Sequence, residues 1–202
     1  MFSLQKTDEI ILSAIYKHCR NSLLDKVMPI ITKLGDMGAI WIAISLRLLI
    51  SKQYIKDGYI IILTLILSTI MSEGLIKNLV RRPRPCTNIP ASNLLISKPL
   101  SYSFPSGHTT SSFAVAGVFT AMIRPYMPYV IAMALLIAFS RLYLLVHYPS
   151  DVLIGIVLGL LCSINVLSSH IIFSNIDNLG SFNHHLTNAA TIIRDQLLNK
   201  TA

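Results

Sequence analysis

Four long apolar runs constrain this chain more than anything else in it: Gly58–Ile76, Pro105–Ile123, Pro128–Val146 and Pro149–Ser169. As helices, each crosses or nearly crosses a hydrocarbon core of about 30 Å. Backbone amides find no water at that depth, so a crossing segment is either a helix or part of a closed barrel. The runs are continuous in Ile, Leu, Ala and Val and lack the alternation of barrel strands, which excludes a barrel. A fifth stretch, Met28–Ile50, is interrupted by Lys33, Asp36 and Arg47, and its Leu34–Gly38 break predicts a bend where the chain enters the bilayer. With 53% apolar and 13% charged residues, the composition excludes a soluble fold. The expected architecture is all-α, an integral membrane bundle of about five or six transmembrane helices in a single domain over residues 1–202.

The flanks and connections qualify this picture. Met1–Arg20 sets Phe2, Leu4, Ile10, Ile11, Ala14 and Ile15 among Lys6, Lys17 and Arg20, the pattern of an amphipathic helix in the membrane interface or packed on the bundle. Asp8 and Glu9, ahead of the short run Ile10–Tyr16, argue against a secretory signal. Residues 81–104 form the longest connection, where Pro83, Pro85, Pro90 and Pro99 forbid a regular helix. Beyond Ser169 the chain turns polar, and Leu186, Ala190, Ile193 and Leu197 predict an amphipathic cytoplasmic tail over 170–202. Cys19, Cys86 and Cys162 have no paired spacing, so neither a disulfide framework nor a zinc site is indicated. The net charge of +8 does not point to nucleic acid: five of the seventeen basic residues fall in Lys77–Lys98, between apolar runs, which favours an anionic lipid headgroup.

Chemistry-bearing residues gather by parity. The run ending at Ile76 delivers Lys77 to one membrane face, and the chain stays there through Pro105. Arg124 then lies on the opposite face, and the next run returns Arg141, His147 and Asp151 to the first. At that face, Pro105 suits the first turn of a helix. The N–H groups of Ser106, Gly107 and His108 are then free at the positive helix end, a phosphate site in outline. Each residue has an ordinary reading too: Lys77 and Arg84 as snorkelling anchors, Glu73 as an i,i+4 partner of Lys77, His147 as an interfacial histidine, Asp151 as a helix-start carboxylate. Those readings do not explain three cations, two histidines and a carboxylate at one depth of one leaflet.

The motifs resemble those of the type 2 phosphatidic acid phosphatases, whose relatives include vanadium haloperoxidases and glucose-6-phosphatase. Three signature blocks stand in order: Lys77-Asn-Leu-Val-Arg-Arg-Pro-Arg84-Pro85, then Pro105-Ser-Gly-His108, then Ser140-Arg141 through His147-Tyr-Pro-Ser-Asp151. The resemblance covers Gly58–Ser169 well, the N-terminal segment loosely and the tail hardly at all, which places a catalytic core at about residues 58–169. It implies that Lys77, Arg84, Ser106, Gly107 and Arg141 bind phosphate, that His147 is the nucleophile oriented by Asp151, and that His108 protonates the leaving oxygen. It implies no cofactor, and the sequence shows no carboxylate cluster to hold a metal ion. The implied function is a lipid phosphatase of the plasma membrane, most similar to small bacterial enzymes that recycle undecaprenyl diphosphate for cell wall synthesis. Phosphatidylglycerophosphate or phosphatidate hydrolysis is the alternative within the class, and a non-enzymatic lipid-phosphate binder or transporter the alternative outside it.

Orientation follows from charge only after the site is set aside. With Lys77 and Arg84 assigned to substrate, the Lys77–Lys98 connection keeps three basic residues against six on the opposite face. The positive-inside rule then turns the site outward. Oligomeric state has no sequence signal.

Overall fold

The computed structural model describes residues 2–172. Met1–Ile164 forms one compact unit, and the expected amphipathic tail lies outside the described residues from 173 onward. The helices are α1 (Phe2–Cys19), α2 (Ser22–Leu34), α3 (Ala39–Leu49), α4 (Ile55–Thr69), α5 (Lys77–Val80), α6 (Gly107–Met122), α7 (Met127–Tyr143) and α8 (Pro149–Ile172). No strand occurs among the described residues. A π-helical segment, Ile70–Ile76, joins α4 to α5, so Ile55–Val80 runs as one long apolar helix. That helix, Arg124–Tyr143 and Pro149–Ile172 are each long and apolar enough to cross a membrane, and α2 with α3, bent by 49°, makes a fourth span if taken as one.

α6 differs from the expected span. It has 16 residues, about 24 Å at the usual helical rise, and ten of them are buried. α4 and α7 pack on it, so it is the axis of the bundle and not a lipid-facing helix. Its Ser and Thr hydroxyls are satisfied locally: Thr110 donates to the Ser106 carbonyl at 2.9 Å, and Ser112 to that of His108 at 2.7 Å. Trp41, which had no reading in the sequence, is fully buried and donates its Nε1–H to Ser112 Oγ at 3.0 Å, tying α3 to α6.

α8 approaches α6 through small residues. A Cβ at Gly155 would stand 3.0 Å from the Ser106 carbonyl oxygen, and one at Gly159 would stand 2.8 Å from the Ala114 nitrogen. One turn further, Ser163 lies against Gly117. The spacing Gly155, Gly159, Ser163 is the small-residue stripe that lets membrane helices come close.

α2 begins where Asn21 Oδ1 accepts the N–H groups of Leu23 and Leu24, at 3.1 and 2.9 Å. It ends at the predicted break, where Met37 (φ 51°) and Gly38 (φ 70°) take left-handed conformations. α1 is helical over Phe2–Cys19, with Leu4 and Ile10 exposed, while Asp8 and Leu12 turn inward. The connection after α5 is held in short 3₁₀ turns, and Ser103 N–H closes back on the Arg82 carbonyl at 2.8 Å. Its Leu94, Leu95 and Ile96 pack on a cluster of Met28, Cys86, Tyr143, Leu144 and Val146.

Candidate active site

The π-helical segment sets Lys77 on the inner side of its helix, and the proline-rich connection that follows carries Arg84 back under the bundle. α6 starts at Gly107 and α7 ends beside Arg141, with His147 in the turn before α8. Lys77, Arg84, Gly107, His108, Arg141 and His147 line one cavity of about 1030 Å³, so the structure brings together the three cations and two histidines that parity had grouped, while Asp151 does not line it. Lys77, Arg84 and Arg141 are 4%, 6% and 4% exposed, which rules out snorkelling for all three.

His147 has its protonation state set by two contacts. Nδ1 lies 2.7 Å from the Ser103 carbonyl oxygen, which can only accept, so Nδ1 carries the proton. Nε2 lies 3.0 Å from an Arg84 amino group, which can only donate, so Nε2 presents its lone pair. Burial first, then Arg141 and Arg84, holds His147 well below the usual imidazole range. The ring is thus neutral, with the lone pair of Nε2 toward Arg84.

Asp151 stands further from that ring than an orienting partner would. Its Oδ2 is 3.6 Å from His147 Nδ1, beyond hydrogen-bond length. It instead accepts from Ser103 Oγ and from the Tyr148 N–H, the latter at 2.8 Å, so it fixes the strand of chain whose carbonyl holds His147. Arg82 meets Asp151 Oδ1 at 2.7 Å and Asp8 Oδ2 at 2.8 Å, and Asp8 accepts the Ser150 N–H at 2.9 Å. Arg82 lies inside the first signature block without being a signature residue, and Asp8 had been read only as a charge opposing a signal peptide. An aspartate among the apolar residues of the first helix was the one signal for this network.

Ser106 is placed behind the cavity wall and does not line it. Its hydroxyl is paired with Thr109 Oγ1 at 2.8 Å, its N–H donates to the Asp151 carbonyl at 3.1 Å, and it is fully buried. The free N–H expected at Ser106 is therefore used to join the start of α6 to the start of α8. The helix begins at Gly107 with Ser106 as its N-cap, so Pro105 precedes the N-cap instead of filling the first turn. Gly107 does face the cavity, and a Cβ there would collide with Glu73 Oε1. That carboxylate also accepts from Lys77 Nζ at 2.5 Å, the pairing expected from their spacing.

Arg141 donates to Thr32 Oγ1, while its Nε is buried with no partner, the one side-chain nitrogen or oxygen so left among the described residues. A buried donor without an acceptor costs about 1–3 kcal/mol, and an incoming oxyanion would satisfy it. Thr32 and Asp36, both from the α2–α3 region, were not anticipated at the site. Asp36 Oδ1 lies 2.8 Å from His108 Nε2.

The family model of the PAP2 superfamily matches residues 58–174. The chain belongs to that superfamily. Undecaprenyl-diphosphatase of Sulfolobus acidocaldarius is 32% identical over 138 residues, 67% of this chain and 66% of that protein. The chain thus spans about two thirds of that relative's length. Among solved structures, Aquifex aeolicus LpxE superposes with a TM-score of 0.67 and 29% identity, covering 78% of this chain and 93% of that one. The transmembrane PAP2 type phosphatidylglycerolphosphate phosphatase of Bacillus subtilis gives 0.68 and 26%, covering 84% and 87%. The expected helical membrane bundle of this superfamily is therefore the architecture of the chain.

Proposed function

We propose that this PAP2 protein hydrolyses a lipid phosphate or isoprenoid diphosphate without a metal, through a phosphohistidine at His147. The observation that carries the reading is the set of three buried cations, Lys77, Arg84 and Arg141, around the lone pair of His147 Nε2 in a single cavity. Beyond the polar end, the cavity is walled by Ile42, Ile62, Leu65, Ile66 and Ile70, of which Ile42, Ile66 and Ile70 are exposed on the bundle surface. It therefore opens toward where lipid tails lie. A phosphorylated headgroup at the cationic end and a hydrocarbon chain at the other is the substrate shape that fits.

In the reaction, Nε2 attacks phosphorus in line as the bond to the leaving oxygen breaks. Arg84, Arg141 and Lys77 hold the equatorial oxygens, with the Gly107 N–H beside them, and stabilise the charge of the trigonal group. Arg84 must trade its contact with Nε2 for a phosphate oxygen, and Lys77 is drawn from Glu73 in the same way. His108 gives its proton to the leaving oxygen and later takes one from the water that cleaves the phosphohistidine. Asp151 works through Ser103, and Ser106 ties the two helix starts together.

Undecaprenyl diphosphate is the substrate we favour, supported by the similarity to an undecaprenyl-diphosphatase. Phosphatidylglycerophosphate is the second reading, supported by the phosphatidylglycerolphosphate phosphatase neighbour. The enzyme would sit in the plasma membrane with its site on the extracytoplasmic face, as the charge count favours. The test is phosphate release by purified protein from a panel of lipid phosphates in detergent containing EDTA. Release from the isoprenoid diphosphate above all others is expected, and binding of the lipids without any release would mark the protein as a non-enzymatic binder.

A further inference from the structure

The bend between α2 and α3 closes directly on His108. Asp36 Oδ1 is 2.8 Å from His108 Nε2, and a Cβ at Gly35 would stand 2.8 Å from His108 Cδ2. Glycine at 35 is thus what lets the bend reach the ring. The next residue after Asp36, Met37, which also lines the cavity, holds φ 51°, a conformation that L side chains rarely adopt, although the residue is 94% exposed. Left-handed backbone at a residue with a side chain clusters at functional sites.

We infer that Asp36 is the positioning residue of the general acid, an inference that rests on His108 having that role in the proposed reaction. The chemistry requires such a partner. His108 shares its cavity with Lys77, Arg84 and Arg141, and burial first, then Arg141 and Lys77, disfavours the imidazolium that must form before a proton can be given away. Glu73, the other carboxylate lining the cavity, is already engaged by Lys77. Asp36 is the carboxylate in contact with the ring. A carboxylate only accepts, so Nε2 keeps its proton throughout and Nδ1 becomes the exchanging nitrogen. Nδ1–H passes its proton to the leaving oxygen as the P–O bond breaks and the P–N bond to His147 forms. The ring is left neutral, still bonded to Asp36, and Nδ1 takes the proton of the attacking water as the P–N bond breaks.

The test compares lipid phosphates that share one tail but differ in leaving group, an alkyl alcohol against an aryl alcohol whose anion leaves unaided. Asp36→Asn keeps the shape, and the side chain is 57% exposed, so the fold is under little threat. Alkyl ester turnover should fall about tenfold or more while aryl ester turnover stays within about twofold, since general acids matter in proportion to leaving-group basicity. In a His108→Ala background, Asp36→Asn should add nothing. Equal loss on both esters, or a loss that adds fully to that of His108→Ala, would overturn the inference while leaving His108 as the acid. If His108→Ala itself slows both esters alike, the acid assignment fails, and the role of Asp36 with it.

Discussion

His147 shows how much a single neutral, buried imidazole decides. Its nitrogen roles follow from one carbonyl and one guanidinium, and its low proton affinity from burial and the neighbouring cations. A depressed folded pKa means that the unfolded chain binds the extra proton first, so stability is lost as pH falls from the unfolded value of about 6.5. The thermal midpoint in detergent should therefore drop between about pH 7 and pH 5, and His147→Asn should remove part of that slope. Identical slopes for the two proteins would show that His147 is not held neutral. At this scale the sequence displayed the residues that carry charge or a signature spacing. It hid those that act through shape or through another residue: Ser103 by its carbonyl, Arg82 by bridging Asp8 and Asp151, and Asp36 at a bend read only as a bend.

Among the elements, α6 and α8 matter most to the site, because the helix starts of both meet there. Their spacing rests on Gly155, Gly159 and Ser163 against the backbone of α6. Gly159→Ala pushes a methyl group into the Thr110 carbonyl and the Ala114 nitrogen, neither of which can yield without moving the helix. It should cost about 1–3 kcal/mol, read as a lowered thermal midpoint, with activity falling as Ser106 and Asp151 are forced apart. Unchanged stability and activity would mean that the two helices are free to separate. The glycines were visible in the sequence, but an apolar run hides which of its faces meets another helix. The run Pro105–Ile123 likewise predicted a span from hydropathy alone, whereas its Ser and Thr content and its neighbours make α6 the buried axis. The π-helical segment that turns Lys77 inward has no pattern that hydropathy could reveal.

For the molecule as a whole, the apolar runs and three spaced motifs made the class legible, because membrane crossing dictates both helix and parity. Which lipid is bound was not legible, since the cavity wall is shared among α3, α4 and the connection after α5, and no local motif records it. Orientation is open to a direct check. Cys86 is 1% exposed, so the natural thiol is a poor reporter, and a cysteine at exposed Ser92 in a chain lacking Cys19, Cys86 and Cys162 serves better. It should react with an impermeant maleimide on intact protoplasts, while a reporter fused after Ala202 behaves as cytoplasmic. Labelling only after lysis would reverse the topology. The covalent step is tested most directly by quenching the purified protein with a labelled lipid phosphate and measuring protein-bound phosphate. The wild type should yield an acid-labile, alkali-stable phosphoenzyme that is absent in His147→Ala. Label of the same stability persisting in His147→Ala would contradict the assignment of that residue as nucleophile.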